Sequence, residues 1–268
     1  MNCFLFLPHL GDSSRHKEAR QCDAHHSLLA NGISDGEQQQ SACTWRRCGS
    51  ACDWYGAFSQ LVTRAASARG RYQQWRFPPS AAGGAAGIGR QLALDLVTTG
   101  LAQSVTVVDV DLAGASKVAA EIQRLGGSSL AVQADVSDSG AHRAAFRKHM
   151  ERWGRLDYSV LNAGVAERGD VKSADQRAWN TTLDVNLRAV MEGVGLSAAS
   201  MPTGGAILVV GSAGGIFPMP RSPVYSASKA GTVFLVRSLA EPLLKRGIGI
   251  CCLCPQVGQA KYSKWWRL

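Results

Sequence analysis

A tyrosine and a lysine stand four residues apart at Tyr225 and Lys229, in a segment whose apolar residues recur with helical spacing. Side chains four apart lie on the same face of a helix. A phenol ordinarily loses its proton at about pH 10, and a nearby ammonium lowers that pKa because it favours the phenolate. The pair could therefore accept and donate a proton near neutral pH. An amphipathic-helix pair without a chemical role is the alternative.

Two further polar residues lie upstream of this pair. Ser212 is 13 residues before Tyr225, just after the apolar run 206–210. Its hydroxyl could hold a substrate oxygen beside the phenol, or it could be a turn residue within Gly-Ser-Ala-Gly. Asn186 lies in the middle of a predicted long helix, although asparagine is a poor helix former. It could kink the helix and hold a water behind Lys229, or it could be a hydrogen-bonded core residue.

A glycine-rich turn, Gly83-Gly84-Ala85-Ala86-Gly87-Ile88-Gly89, opens the first predicted helix. Gly83 could form the tight turn, Gly87 could let a pyrophosphate approach the backbone, and Gly89 could let the helix pack against a sheet. Unpaired N–H groups at the start of the helix would then face the anion. A glycine-rich loop with no ligand is the alternative, because this spacing also arises by chance.

Asp109 follows Gly89 by 20 residues and ends a β-branched run. A carboxylate at this place accepts both ribose hydroxyls of NAD and repels the 2′-phosphate of NADP. The alternative role is a helix N-cap, which Asp111 could fill instead. The next two predicted strands end in further polar residues or glycine at Asp135, Val136, Asn162, Ala163 and Gly164. All these strand ends should face one crevice.

Strands and helices alternate from the glycine turn to about residue 254. The predicted strands are 104–109, 130–134, 156–161, 206–210 and 248–254, and the predicted helices are 91–97, 113–125, 139–153, 175–200 and 224–246. The strands are continuous apolar runs, which is typical of a sheet covered on both faces. The sequence thus predicts an α/β fold with a doubly wound parallel sheet of the Rossmann type, and a ligand at the carboxyl ends of the strands.

In order and spacing these residues resemble the short-chain dehydrogenase/reductase family over residues 80–258. The segments 214–220 and 253–256 are similar to members labelled 15-hydroxyprostaglandin dehydrogenase-like. The resemblance implies hydride transfer between a secondary alcohol, or ketone, and NAD. Tyr225 would be the acid/base, Lys229 would lower its pKa and hold the nicotinamide ribose, Ser212 would orient the reacting oxygen, and Asn186 would support a proton relay. The implied cofactor-binding residues are Gly83, Ala85, Gly87, Ile88, Gly89, Asp109, Asp135, Val136, Asn162, Ala163, Gly164, Tyr225, Lys229 and Pro255.

Both ends of the domain depart from the family pattern. Pro78-Pro79 stands where the family has a central first strand, and proline is not expected in a central strand. The run 58–63 could substitute only if residues 64–82 were looped out. Only 13 residues follow Pro255, whereas family members continue with a threonine that contacts the nicotinamide, a substrate-covering loop and a seventh strand. We therefore expect a sheet without a regular first strand and without the last one.

This departure gives an alternative function, namely a truncated, catalytically impaired protein that retains only nucleotide binding. The predicted sections are an irregular or disordered segment (1–79), the nucleotide-binding domain (80–258) and an irregular tail (259–268). The composition of the 268 residues, 46% apolar and 18% charged, excludes a disordered or fibrous chain. The net charge of +9 divides as about +3 per section, so the domain is nearly neutral and nucleic-acid binding is disfavoured.

The eight cysteines are predicted to be reduced thiols. Cys43, Cys48 and Cys52 could be drawn with His25 and His26 as a zinc site, but they form no Cys-x-x-Cys pair, so no metal is expected. No apolar run approaches the roughly 18 residues that cross a bilayer. We expect a cytoplasmic protein with a small-molecule alcohol or ketone substrate, although the Arg-rich stretch 41–79 leaves an organelle transit peptide open. The resemblance further implies a homodimer or homotetramer.

Overall fold

A computed structural model of the chain describes residues 3–7, 44–48, 79–166 and 175–255. Its strands are β1 (Cys3–Leu7), β2 (Thr44–Cys48), β3 (Pro79–Ala82), β4 (Ser104–Asp109), β5 (Ser128–Gln133), β6 (Tyr158–Leu161), β7 (Ala206–Val210) and β8 (Gly249–Pro255). They form one sheet in the order β2-β1-β8-β7-β6-β3-β4-β5. The strands from β3 to β8 are all parallel, which confirms the predicted α/β doubly wound fold.

Helices follow five of these strands. They are α1 (Gly87–Thr98), α2 (Leu112–Arg124), α3 (Ser139–Trp153), α4 (Gln176–Leu183), a π-helical turn (Asp184–Arg188), α5 (Ala189–Ser200), a 3₁₀ turn (Ala213–Gly215) and α6 (Pro223–Lys245). The predicted bounds of β4, α3 and β7 agree with the structure to the residue. The predicted helix 175–200 is divided by the π-helical turn.

The strands β4, β6, β7 and β8 are buried on both faces because helices cover both sides of the sheet. In β7, Ala206 and Leu208 belong to the cluster beneath α1 and α2, whereas Ile207 and Val209 belong to the cluster beneath α5 and α6. All four side chains are at most 1% exposed. A strand that meets apolar helices on both faces has no polar side to show, which explains the continuous apolar runs of the sequence.

The strand order reverses between β3 and β6. From β3 the chain first builds outward through β4 and β5, and then returns to β6 on the other side of β3. The carboxyl ends of β3 and β6 therefore diverge into helices on opposite faces and leave a crevice between them. Open α/β sheets bind their ligands at this point.

The expectation that the first strand would be irregular is wrong. Pro79–Ala82 pairs in parallel with β4 on one side and with β6 on the other. Pro79 is the first residue of the strand, where a missing N–H removes no bond from the middle of the ladder. Residues 80–82 supply the paired backbone. The nucleotide-binding domain therefore starts with a short central strand, and the run 58–63 lies outside the described residues.

The prediction of a purely parallel sheet ending at β8 is also corrected. β1 pairs antiparallel with β8, with Phe4 opposite Cys254 in the register, and β2 pairs antiparallel with β1. The segment 1–79 was predicted to be irregular, yet it contributes these two strands. They cover the edge of β8 that the expected absence of a last strand would leave open. The tail 259–268 lies outside the described residues.

Two histidines of α3 are buried, His142 at 2% and His149 at 1% exposure. His149 accepts a bond from the Thr106 hydroxyl at Nδ1 (2.9 Å) and donates from Nε2 to the Arg155 carbonyl (2.9 Å). Nδ1 of His142 lies 3.5 Å from the Glu192 carboxylate, which opposes the effect of burial on the His142 pKa, and among the described residues neither ring nitrogen makes a hydrogen bond of good geometry. Burial lowers the pKa of both imidazoles, and the Arg155 carbonyl opposes this at His149.

We expect acid to destabilise the fold through these histidines. Because their folded pKa values lie below the unfolded value of about 6.5, the unfolded chain takes up protons first as the pH falls. Their stabilising effect is complete above about pH 6.5 and declines below it. The urea midpoint should fall between pH 7.5 and 5.5, and His142→Leu should flatten the decline. An equal decline in His142→Leu would show that this ring contributes nothing.

Candidate active site

The glycine turn is held against the end of β6 by contacts that leave no room for side chains. Gly83 has a φ of +71°, and a Cβ built on it would lie 2.9 Å from the Ala163 Cα. A Cβ on Gly89 would lie 2.1 Å from the Gly83 carbonyl oxygen. The sequence assigned the tight turn to Gly83 and close helix packing to Gly89, and the geometry agrees with both assignments.

Asn162 fixes the turn from the end of β6. Its Nδ2 donates to the Gly83 carbonyl over 2.8 Å. The sequence placed Asn162 among the cofactor-binding residues, and the structure shows its amide bound to the turn itself. This bond shapes the loop, and the place of Asn162 among cofactor-binding residues stays a prediction. The backbone of the neighbouring Ala163 packs closely against Gly83.

The amino end of α1 is open toward the crevice. Gly87 begins the helix with a φ of +56°, and no heavy atom lies within 4 Å of a Cβ built on it. Among the described residues no side chain caps this helix, and its first turn carries no acid. The first backbone N–H groups of a helix need an acceptor from outside it. An anion such as a pyrophosphate fits this end, while Ile88 packs against the core.

The carboxylate of Asp109 is bound to the glycine turn. Its Oδ2 accepts the Ala85 N–H and its Oδ1 accepts the Asp111 N–H, both over 3.0 Å. Asp111 caps α2 by accepting the Gly114 N–H over 3.0 Å. The N-cap role left open for Asp109 thus belongs to Asp111, and Asp109 is placed beside the turn where a ribose would lie. The next residue, Val110, is 64% exposed.

The end of β5 forms a small turn around Asp135. Its Oδ1 accepts both the N–H (2.9 Å) and the hydroxyl (2.7 Å) of Ser137. Val136 is buried at 7% exposure. The structure shows how Asp135 shapes this strand end, and its place among cofactor-binding residues stays a prediction.

Asn186 lies in the π-helical turn and is fully buried. Its Oδ1 accepts the Val165 N–H, its Nδ2 donates to the Val165 carbonyl, both over 2.8 Å, and Nδ2 also donates to the Ser228 hydroxyl over 3.1 Å. Of the two alternatives, these bonds fit the hydrogen-bonded core residue. A π-helical turn holds one residue more than an α-helical turn, so Asn186 is displaced from the position that a regular α-helix would give it. It ties the segment after β6 to α6.

The ammonium of Lys229 lies at the centre of the site. The residue is 3% exposed, and its Nζ donates to the Val210 carbonyl over 2.9 Å. The same Nζ is 6.0 Å from the ring centroid of Tyr225, which places both side chains on one side of α6. Burial lowers the pKa of Lys229 to about 8. A Cβ on the exposed Gly164 would lie 3.3 Å from Nζ and 3.4 Å from Asn186 Oδ1, so these groups converge.

Ser212 stands where β7 ends, before the 3₁₀ turn. Its Oγ accepts the Gly214 N–H over 3.0 Å, which agrees with the turn role left open for it. A hydroxyl that accepts one bond keeps its proton to donate elsewhere. The chemical and the turn roles are therefore compatible. Pro255 is the last residue of β8, one strand further along the sheet.

Two buried cysteines near the site were given no site role by the sequence. The thiols of Cys252 and Cys254 lie under the end of β7, since a Cβ on Gly211 would be 2.7 and 3.0 Å from their sulfurs. The available signal was the spacing, because residues two apart in a strand share one face. Among the described residues, no group of three or more metal-ligating side chains could hold a metal ion.

Comparison with known proteins agrees with this geometry. The profile of the family described as short chain dehydrogenase matches residues 81–266. The human 15-hydroxyprostaglandin dehydrogenase [NAD(+)] is 37% identical over 182 residues, 65% of each chain. The 3-oxoacyl-[acyl-carrier-protein] reductase FabG of Staphylococcus aureus strain Mu50 is 32% identical over 179 residues, 65% of this chain and 71% of that one. The fold and site define a nucleotide-binding α/β protein. The chain belongs to the short-chain dehydrogenase family.

The same fold also occurs in a solved structure with a bound cofactor. A short chain dehydrogenase from Burkholderia cenocepacia J2315 in complex with NADP is 34% identical, with a TM-score of 0.61 over 66% of this chain and 72% of that one. The present chain spans about 65% of the length of the human relative. Among the described residues, none of the helices is both long and apolar enough to cross a membrane.

Proposed function

We propose that this chain transfers a hydride between a secondary alcohol, or the corresponding ketone, and NAD. Tyr225 takes the hydroxyl proton of the alcohol or returns it to the ketone oxygen. Lys229 stabilises the phenolate electrostatically, and the Ser212 hydroxyl donates a hydrogen bond to the reacting oxygen. Asn186 supports the site from the π-helical turn.

The approach of Lys229 to Tyr225 is the observation that carries this proposal. A buried ammonium 6.0 Å from the ring lies where it stabilises a phenolate, and the Val210 carbonyl holds it there. An opposite charge within about 6 Å favours the ionised form of a titratable group. A phenolate stabilised in this way can act as a general base.

The glycine turn fits a dinucleotide. The crowded Gly83 and Gly89 and the open Gly87 form a cradle that side chains would fill, and the uncapped amino end of α1 suits a pyrophosphate. Asp109 would hold the adenosine ribose and Lys229 the nicotinamide ribose. NAD, when bound, accepts the hydride from an alcohol or returns it to a ketone.

Absorbance at 340 nm tests the proposal, since it reports formation of NADH. The wild-type chain is mixed with NAD and a panel of secondary alcohols, and NAD binding is measured separately by titration calorimetry. Turnover of any alcohol supports the proposal. Binding of NAD without turnover of any alcohol or ketone would instead support the binding-only alternative.

We propose that the chain prefers NAD to NADP because of the negative charge of Asp109. A complex with NADP occurs among the similar structures, so this preference calls for its own experiment. Asp109→Asn removes the charge and keeps the shape, so repulsion of the 2′-phosphate should be lost. We expect the ratio of NADP to NAD dissociation constants to fall by about tenfold, or about 1.4 kcal/mol. Asp111→Asn, which keeps an N-cap on α2, is the control. A ratio unchanged in Asp109→Asn would contradict this role.

We also propose a cytoplasmic homodimer or homotetramer. Met191 of α5 and Phe234 of α6 are 52% and 62% exposed, and a partner subunit on these two long helices would cover them. The free thiols of Cys251, Cys252 and Cys254 agree with a reducing compartment. The nearly neutral domain supports a small-molecule substrate over nucleic acid.

A further inference from the structure

Two side chains of α6 bind the backbone on either side of Ser212. Lys229 Nζ donates to the Val210 carbonyl over 2.9 Å, and Val210 ends β7 two residues before Ser212. The Ser226 hydroxyl donates to the carbonyl of Gly214, two residues after Ser212. Ser226 and Lys229 are three apart in the helix and therefore share one face. The short backbone segment that carries the Ser212 hydroxyl is thus bound to α6 at both ends.

The 3₁₀ turn extends this link to the Ser212 hydroxyl itself. The Gly214 N–H donates to Ser212 Oγ over 3.0 Å, so the residue that Ser226 binds also binds the Ser212 side chain. The Gly215 N–H donates to the Ser212 carbonyl over 2.9 Å and closes the turn. Gly214 is buried. A movement of Gly214 away from α6 would therefore move the Ser212 hydroxyl with it.

The turn also lies directly on the backbone of α6. A Cβ built on Gly215 would lie 2.6 Å from both the carbonyl carbon and the carbonyl oxygen of Lys229, and 2.9 Å from the Ala230 nitrogen. Only a residue without a side chain allows the turn and the helix to approach so closely. This contact and the bond from Ser226 together fix the turn on the helix that carries Tyr225, the residue just before Ser226.

The bond of Ser226 differs from those of the other two serines of α6. Hydroxyls inside a helix often donate to a carbonyl three or four residues earlier in the same helix. Ser228 does so at the Tyr225 carbonyl over 2.7 Å, and Ser238 does so at the Phe234 carbonyl over 2.9 Å. The Ser226 hydroxyl instead binds the 3₁₀ turn, so its hydrogen bond joins two elements of the site.

We propose that Ser226 is a positioning residue, which holds the Gly214 carbonyl so that the Ser212 hydroxyl and the Tyr225 phenol reach the same substrate oxygen. The two proposed catalytic groups belong to different elements, and a misplacement of about 1 Å between such groups can lower the rate about a hundredfold. The assignment of a reaction to this pair rests on the proposed function. The attachment of the turn to α6 rests on the contacts alone.

Hydrogen–deuterium exchange at the Gly214 and Gly215 amides tests the attachment without any turnover. The variants are Ser226→Ala, which removes the donor, and Ser238→Ala, which makes the same change further along α6. We expect both amides to exchange about fivefold faster in Ser226→Ala, the effect of one lost hydrogen bond on a local opening. Exchange in the distant β4 should stay unchanged, and Ser238→Ala should match the wild type. Unchanged exchange at both glycines, or an equal acceleration in β4, would overturn the proposal.

Oxidation of racemic 2-decanol by NAD tests the positioning role. We expect Ser226→Ala to lower kcat about tenfold and to change the dissociation constant for NAD less than about twofold, because the glycine turn is untouched. A double-mutant cycle with Ser212→Ala shows whether Ser226 acts through Ser212. Once the Ser212 hydroxyl is absent, Ser226→Ala should change kcat less than about twofold.

Two results of the activity measurement would contradict the positioning role. One is an unchanged kcat in Ser226→Ala, and the other is a tenfold loss that persists in the Ser212→Ala background. Ser238→Ala should keep the wild-type kcat. A wild type whose turn exchanges more slowly than that of Ser226→Ala, but which oxidises no alcohol and reduces no ketone, would refute the proposed function and leave the attachment of the turn supported.

Discussion

Tyr225→Phe is expected to lower kcat for alcohol oxidation by about 10²–10⁴-fold, the usual contribution of a general acid/base. The substitution removes one oxygen and leaves the ring beside Lys229, so the fold and the glycine turn should be unaffected. The dissociation constant for NAD should change by less than about threefold, or about 0.7 kcal/mol. Steady-state absorbance at 340 nm and titration calorimetry on the same preparations measure the two effects.

Tyr158→Phe is the matched control for this prediction. It removes the same atom from a buried tyrosine of β6, away from Lys229. Turnover should stay near the wild-type value wherever the variant is folded. If Tyr225→Phe kept more than about a tenth of the wild-type kcat, the phenol would not be the acid/base. General acid–base catalysis raises the rate by at least about a hundredfold.

Gly89→Ala is expected to weaken nucleotide binding. The added Cβ would lie 2.1 Å from the Gly83 carbonyl oxygen and 2.7 Å from Asn162 Nδ2, so backbone has to move. Over-packing of this kind costs about 1–3 kcal/mol. Because the displaced atoms form the cradle, we expect the dissociation constant for NAD to rise by about tenfold or more. Calorimetric titration with NAD gives the affinity, and urea unfolding gives the loss of stability.

Gly195→Ala gives the control for the same chemical change. Gly195 is an exposed residue inside α5, and no heavy atom lies within 4 Å of a Cβ built on it. Alanine is favoured over glycine in a helix by about 1 kcal/mol, so this variant should be slightly more stable and should bind NAD normally. If Gly89→Ala bound NAD as tightly as Gly195→Ala does, the turn would not be the nucleotide site.

The sequence predicted the local elements well because their signals are local. Helix α3 begins with the Asp138 side chain accepting the Ala141 N–H and ends at Gly154 in a left-handed conformation, and both residues can be recognised without a structure. β4 and β7 are short apolar runs between turns, so their bounds were also correct. The sequence allowed a kink at Asn186 but did not predict its form, the π-helical turn at Asp184–Arg188, in which Asn186 binds the distant Val165 backbone.

Other features depend on which distant segments meet. The sequence argued against Pro79 in a central strand, but the cost of proline depends on its place in the ladder, and only the pairing with β4 and β6 shows that it comes first. The choice between Asp109 and Asp111 as N-cap was also open until the Ala85 N–H was seen to bind Asp109. In each case the deciding bond joins residues far apart in the chain.

By itself the sequence determined the alternation of strands and helices, the burial of the sheet on both faces and the order of the residues proposed for chemistry, since apolar periodicity, capping and spacing act within a few residues. Only the tertiary structure decided that β1 covers β8, that Asn162 shapes the glycine turn, and that the Lys229 ammonium binds the Val210 carbonyl. Hydrogen bonds form only within a few ångströms, so their partners are set by the packing of distant segments.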